Sequence, residues 1–313
     1  RRVHVIGAGT MGGDIAAWCA LRGLQVTLQD QSPQQIAPAI KRAYHFFKKK
    51  LKAPHLIQAA MDRLQPDTLG SGVCRADVVI EAIFEDLTVK QALFKKIESE
   101  LKPGALLATN TSSIPLSKIA EVLKEPSHLV GIHFFNPVSQ MPLVEVVHGS
   151  DTSQVAIDAA TCFVGKIGKL PVPVASQPGF LVNRILMPYL MEAMELMNEG
   201  VSAAAIDQAA ANFGMPMGPI LLADKVGLDV CLSVANNLTA DLGGVVPECL
   251  MNIVAEGRLG VKSGRGFYRY QKGKPVNEDQ DMAVPDDAVD RLVLRMVNEA
   301  IACLSEKIVD DAD

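Results

Sequence analysis

The chain is 313 residues long, 49% hydrophobic and 21% charged, with a formal net charge of −5 at neutral pH. This is the composition of a soluble chain with room for one large or two moderate domains, and it leaves no global basic field to recruit nucleic acid or an anionic membrane. No apolar run is long enough to span a bilayer, and the N-terminus enters a strand pattern directly without a signal peptide, so no membrane insertion is expected. The six cysteines, Cys19, Cys74, Cys162, Cys231, Cys249 and Cys303, form no CxxC pair and no Cys/His cluster. They are expected to be reduced core residues of an intracellular protein, with neither a disulfide frame nor a metal site. Arg1 stands where a methionine would open a chain, and an excised piece of something longer is expected.

In chain order, VHVI (3–6), LQVTLQD (24–30), DVVIEA (77–82), LLATN (106–110), LVGIHFF (129–135) and LVEVVHG (143–149) are predicted strands, rich in Val, Ile and Leu. Helical patterns such as GGDIAAWCALRG and VKQALFKKIESEL lie between them. Such alternation predicts an α/β doubly wound sheet, mostly parallel, with helices on both faces. Segment 34–64 exceeds a normal crossover and carries Lys48, Lys49, Lys50 and Lys52; it is expected as one long helix or a helical hairpin projecting from the sheet. After KLPVPVA (169–175), Gln177-Pro178-Gly179 punctuates the chain and the pattern becomes helical through about residue 260. The expectation is a Rossmann-type domain over 1–177 and an all-α second domain after it.

Gly7-Ala8-Gly9-Thr10-Met11-Gly12 follows the first strand and opens a helix. The first glycine makes the tight turn, the second lets backbone approach a pyrophosphate, and the third permits close helix–strand packing; the phosphates sit on the helix N-terminus. The second strand ends in Asp30, 18 residues past Gly12, where a carboxylate accepts both ribose hydroxyls of NAD and repels the 2′-phosphate of NADP. NAD is the predicted cofactor.

Ligands of open parallel sheets sit beyond the carboxyl ends of the strands. LLATN delivers Asn110, Thr111, Ser112 and Ser113 there, and LVGIHFFNP delivers His133 and Asn136. Glu145 lies inside the apolar strand LVEVV and needs a partner, because an unpaired buried charge is costly. His133 is the histidine in a comparably apolar strand. A buried Glu–His pair fixes the imidazole tautomer and suits the base that removes a hydroxyl proton. From position alone, His133 is equally readable as a satisfied structural histidine.

VIGAGTMGGDIA, VVIEAIFEDLTVKQALF, ATNTSS, GIHFFNPV, LVEVV, PGFLVNRIL, MGPILLADKVGLD and GVKSGRGFY together resemble the L-3-hydroxyacyl-CoA dehydrogenases of fatty acid β-oxidation, from residue 3 to about 270. The resemblance implies NAD-dependent oxidation of an L-3-hydroxyacyl-CoA, with His133 as general base, Glu145 orienting it, and Ser112 and Asn183 holding the reacting oxygen. It also implies that Asp30, Glu85, Lys90 and Asn110 contact NAD beyond the glycine loop, that Asn136 lies by the substrate, and that Lys49 meets the CoA moiety. Lys49 also reads as part of a solvated lysine face. The catalytic group is expected in a cleft between the two domains.

Within this resemblance the second domain is expected over 178–270. Residues 271–313 extend past the single-function members and resemble the multifunctional ones, where a second helical repeat follows and a hydratase/isomerase domain precedes. MEAMELMNEGV (191–201) aligns with NEAIACLSEKI (298–308), either by chance between two amphipathic helices or as that repeat. A truncated repeat is expected to expose apolar surface, and to be loosely ordered or to pair with another copy of the chain. Expected partners are the acyl-CoA substrate, a second copy in a homodimer, or a covalent hydratase domain; expected locations are the bacterial cytoplasm or an organelle matrix. Two other functions stand beside this one: a dehydrogenase of a sugar acid or polyol phosphate, and a non-catalytic scaffold of the same fold.

Overall fold

The computed structural model describes residues 1–276 and 283–310. The chain divides into two compact units, Arg1–Ser176 and Gln177–Asp313. The first opens with β1 (Arg2–Ile6), α1 (Thr10–Leu21), β2 (Gln25–Gln29), α2 (Pro33–Lys50), α3 (Pro54–Arg63), β3 (Leu64–Asp67) and β4 (Val78–Glu81). It continues through α4 (Leu87–Ile97), β5 (Leu106–Thr109), α5 (Leu116–Ala120), β6 (Leu129–Phe134), β7 (Leu143–His148), α6 (Gln154–Lys166) and β8 (Leu170–Ala175). The eight strands form one sheet in the order β3-β2-β1-β4-β5-β6-β7-β8. All neighbours run parallel except β6 and β7, which are antiparallel.

The predicted strands are the central ones. β4, β5 and β6 are buried along their whole length, as two-sided burial under flanking helices requires of Val/Ile/Leu runs. The two strands not predicted, β3 and β8, are the sheet edges, and both contain proline: Pro66, Pro171 and Pro173. The amides of Leu170 and Ser176 point toward β7, donating to Pro142 and His148 carbonyls. Pro171 and Pro173 alternate with them, so their missing N–H groups fall on the open edge, where no ladder bond is lost and further pairing is blocked.

Segment 34–64 is the hairpin alternative, α2 and α3. α2 lays Ile36, Ala39, Ala43 and Phe47 into the core against α1 instead of standing clear of the sheet. Gly13 permits that approach: a Cβ there would collide with the Cβ of Ala39.

The second unit comprises α7 (Val182–Asn198), α8 (Ala203–Phe213), α9 (Pro219–Val226), α10 (Leu228–Leu242), α11 (Glu248–Ala255), a short hairpin of β9 (Tyr270–Gln271) and β10 (Lys274–Pro275), and α12 (Ala288–Ser305). Its own core gathers Tyr189, Leu190, Met194, Ile206, Ile220, Leu228 and Leu250. α12 packs on α7 through two ion-pair forks. Arg184 Nε donates to Glu299 Oε1 (2.6 Å) and its Nη atoms to Glu306 (2.7 and 2.9 Å). Arg291 Nε donates to Glu192 Oε1 (2.7 Å) and its Nη atoms to Glu199 (2.8 and 2.6 Å). A shift of 107 residues carries Arg184 to Arg291, Glu192 to Glu299 and Glu199 to Glu306, so each helix holds the other by the same atoms. The same shift carries Met187, Leu190, Met194 and Met197, packed in the core, to Leu294, Val297, Ile301 and Leu304, which are exposed.

Candidate active site

The carboxyl ends of β1 and β2 build the first half of the site. Gly7, at φ 106°, turns the chain from β1 toward α1 with its Cα against the Ala82 carbonyl, a conformation and a space that exclude other residues. Gly12 is equally closed, against the Gly7 carbonyl, whereas a Cβ on Gly9 would meet nothing within 4 Å. The open side of the loop is therefore over Gly9, Thr10 and Met11, at the start of a helix with no side-chain cap and no acidic residue in its first turn. Asp30, just past β2, accepts the Ala8 amide on Oδ2 and the Gln31 amide on Oδ1, both at 2.7 Å. Uncapped helix amides suited to a pyrophosphate, with a carboxylate beside them suited to ribose hydroxyls, fit NAD.

Next along the sheet, β4 and β5 end in a polar network. Glu81, fully buried, accepts Lys90 Nζ (2.6 Å) and the Ile83 amide (2.8 Å) on Oε1, and Thr109 Oγ1 (2.6 Å) on Oε2. Lys90, 1% exposed, also reaches Glu85 Oε2 at 3.3 Å. Glu85 belongs to an exposed loop but turns its other oxygen inward, onto Thr111 Oγ1 (2.5 Å) and the amides of Ser112 (2.9 Å) and Ser113 (3.1 Å). Burial favours its neutral carboxyl, but the Lys90 ammonium and these hydrogen bonds outweigh that and hold it below the usual carboxylate range. Both residues expected at NAD are thus engaged in holding the Thr111–Ser113 turn. Asn110 accepts the Phe134 amide on Oδ1 (2.9 Å), tying the end of β5 to the end of β6.

The antiparallel register of β6 and β7 sets His133 directly across from Glu145. Nδ1 lies 2.6 Å from Oε2, with Glu145 fully buried and His133 5% exposed. Phe135 stands edge-on to the imidazole, ring centroids 4.6 Å apart. Of the remaining expected residues, Asn136 is on the exposed loop after β6, Lys49 is exposed in the last turn of α2, and Asn183, half-buried, is in the first turn of α7 in the second unit.

Glu81 escaped the sequence reading although it carries the signal that exposed Glu145, a carboxylate within an apolar strand. Lys169 escaped it too. Its buried ammonium donates to the Val138 and Met141 carbonyls and lies 4.0 Å over the Trp18 ring, pinning the loop that carries Asn136. Among the cysteines, Cys19, Cys231 and Cys303 are core residues, but Cys74 and Cys162 are exposed, because the scattered positions followed no burial pattern. Among the described residues, no group of three or more His, Cys, Asp or Glu side chains is placed to hold a metal, and no helix is long and apolar enough to cross a membrane.

A glycine turn between β1 and α1, an acid closing β2 and polar residues at successive strand ends define a dinucleotide-binding α/β protein. Residues 2–177 match the family model described as 3-hydroxyacyl-CoA dehydrogenase, NAD binding domain, and residues 179–270 match its C-terminal domain. The chain belongs to the 3-hydroxyacyl-CoA dehydrogenase family, and its first unit is that family's NAD-binding domain. It is 37% identical to the fatty acid oxidation complex subunit alpha of Shewanella baltica, over 99% of this chain and 47% of that protein. The chain thus spans about half the length of the curated relatives it matches. Among solved structures, the 3-hydroxybutyryl-CoA dehydrogenase of Escherichia coli superposes with a TM-score of 0.82 at 37% identity, covering 92% of this chain and 63% of that one. The (S)-3-hydroxybutyryl-CoA dehydrogenase of Ralstonia eutropha gives 0.81 at 36%, covering 87% and 99%.

Proposed function

We propose that this chain is the dehydrogenase section of a multifunctional fatty acid oxidation protein, oxidising L-3-hydroxyacyl-CoA to 3-ketoacyl-CoA. The observation that carries the reading is the buried His133–Glu145 pair at the strand ends, on the same side of the sheet as the glycine loop. Glu145 Oε2 accepts a hydrogen bond from the Nδ1–H of His133, which makes Nε2 the basic atom of the ring. His133 Nε2 accepts the proton of the 3-hydroxyl, and Glu145 stabilises the imidazolium that forms. NAD, when bound, supplies the acceptor for the hydride leaving C3. Ser112 Oγ and the Asn183 amide donate to the reacting oxygen, and in the reverse direction they stabilise the developing alkoxide. Gly7, Gly9, Thr10, Met11 and Gly12 cradle the cofactor phosphates, while Asp30 holds the ribose hydroxyls. Asn110, Glu85 and Lys90 contact NAD beyond the glycine loop, Asn136 lies by the substrate, and Lys49 meets the CoA moiety.

Among the partners, the length of the relatives supports a covalent hydratase domain, and their bacterial sources support a cytoplasmic location. NAD reduction measured across 3-hydroxyacyl-CoAs of increasing chain length tests the reading. His133→Gln should lose several orders of magnitude in turnover with NAD affinity nearly intact. Retained activity in that variant refutes the assignment, and silence of the unaltered protein toward every CoA substrate favours the scaffold.

A further inference from the structure

Glu81 is a buried carboxylate that the proposed chemistry does not use. Its two oxygens do different work: Oε1 holds Lys90 and the Ile83 amide, and Oε2 holds Thr109. Both lead into segment 111–114 and meet at Thr111. Through Lys90 the network passes to Glu85, which receives Thr111 Oγ1 and the amides of Ser112 and Ser113. Through Thr109 it passes to the Thr111 amide, which donates to Thr109 Oγ1 at 3.2 Å, and Thr111 Oγ1 in turn accepts the Ile114 amide at 3.0 Å. Segment 111–114 is therefore gripped from two sides, and both grips end on Glu81.

We propose that Glu81 is a positioning residue, which fixes the Ser112 hydroxyl against the reacting oxygen by holding Lys90 with one carboxylate oxygen and Thr109 with the other. This rests on the dehydrogenase reading for the role of Ser112, though not for the grip itself. A positioned donor is effective only while its backbone is held, and such buried networks are strong when every member is satisfied and weak when one is lost. Glutamine in place of Glu81 offers one acceptor oxygen where two are needed, so one grip must open. The charged groups facing Glu85 are Lys90 from α4 and, through it, Glu81 from β4; neighbouring Asp86 is turned to the Val89 amide as the α4 cap. Glu85 therefore follows the balance of these two opposite charges. Removing Lys90 leaves only the Thr111, Ser112 and Ser113 hydrogen bonds to oppose burial and raises the Glu85 carboxyl, whereas removing the Glu81 charge leaves Lys90 to Glu85 alone and lowers it.

The experiment compares Glu81→Gln, Lys90→Met, Thr109→Val and Thr109→Ser in the whole chain, by amide hydrogen exchange at Ser112 and Ser113, by kcat, and by the Glu85 carboxyl titration followed by NMR. Glu81→Gln and Thr109→Val should speed exchange at both amides and lower kcat about tenfold or more, with the KM for NAD changing less. Thr109→Ser, which keeps the hydroxyl, should restore both. The Glu85 titration should move up in Lys90→Met and down in Glu81→Gln. Reduced thermal stability with unchanged exchange and an unmoved Glu85 titration overturns the proposal and leaves Glu81 a structural residue. If Glu81→Gln does not fold, the two Thr109 variants and Lys90→Met decide by the same readouts. An unaltered chain inactive toward 3-hydroxyacyl-CoA refutes the dehydrogenase reading instead, and the exchange data then judge the grip alone.

Discussion

Replacing Glu145 with glutamine removes one charge from a site of fixed shape, and its effect can be worked from the geometry. The carboxylate is fully buried, directly across the sheet from His133 and 2.6 Å from its Nδ1. When His133 takes a proton, the positive charge is centred in the ring, about 4 Å from the carboxylate; with an effective dielectric of about 20 their attraction is about 4 kcal/mol. At 1.36 kcal/mol per tenfold, losing it slows proton removal by about three orders of magnitude. The amide adds a second penalty. If its NH2 turns to Nδ1, the imidazole proton is forced onto Nε2, the atom required to accept the substrate proton. Together these give an expected fall in kcat of about three to four orders of magnitude. Because the side-chain volume is kept and one hydrogen bond remains, folding stability should fall by no more than about 1–2 kcal/mol. The assay is NAD reduction by a 3-hydroxyacyl-CoA, with NAD affinity by titration and folding by thermal melt. A folded Glu145→Gln protein within about tenfold of the unaltered rate would refute the reasoning, since the pair would then be structural.

Asp30→Asn should weaken NAD and narrow the preference for NAD over NADP, because the amide still accepts the Ala8 amide but no longer repels a 2′-phosphate; an unchanged ratio of KM values for the two cofactors counts against Asp30 as the ribose acid. The two arginine forks should differ in weight. Arg184, 3% exposed, should cost roughly 2–4 kcal/mol when replaced by methionine, because two carboxylates lose a desolvated partner. Arg291, 27% exposed, should cost about 1 kcal/mol or less, and equal denaturation midpoints for the two variants would contradict this. Asp207 and Asp224 of the second unit accept Tyr268 and Tyr270 hydroxyls, and burial holds both carboxyls above their ordinary range despite these bonds. A carboxyl raised on folding favours the folded state at acid pH, and that contribution is lost as pH rises from the unfolded value through the folded one. Asp224→Asn should therefore flatten the decline in stability from acid toward neutral pH, and urea midpoints with the same pH slope in both proteins would rule this out.

What was legible in the sequence was local. Val/Ile/Leu runs marked the central strands because burial on both faces demands them, and Gly7, Gly12 and Asp30 stood at the spacing that one turn and one crossover impose. His133 and Glu145 were readable as partners from the cost of leaving a carboxylate alone in an apolar strand. Beyond that, the chain's own pattern ran out. β3 and β8 contain prolines that argue against a central strand, and only the sheet order shows that both are edges, where those prolines are tolerated. Segment 34–64 was readable as helical, but its packing against α1 depends on contacts such as Ala39 on Gly13.

The amino-acid order by itself determined the strand–helix alternation, the dinucleotide loop and the candidate base with its acid. Tertiary structure decided what those residues meet: that β6 and β7 run antiparallel and so bring His133 opposite Glu145, that Glu81 and Glu85 hold the Ser112 turn, and that Arg184 and Arg291 answer each other across 107 residues. The physical reason is that periodicity and turn chemistry act over a few residues. The choice among several buried carboxylates and cations is made by which side chains the folded backbone brings within hydrogen-bond reach.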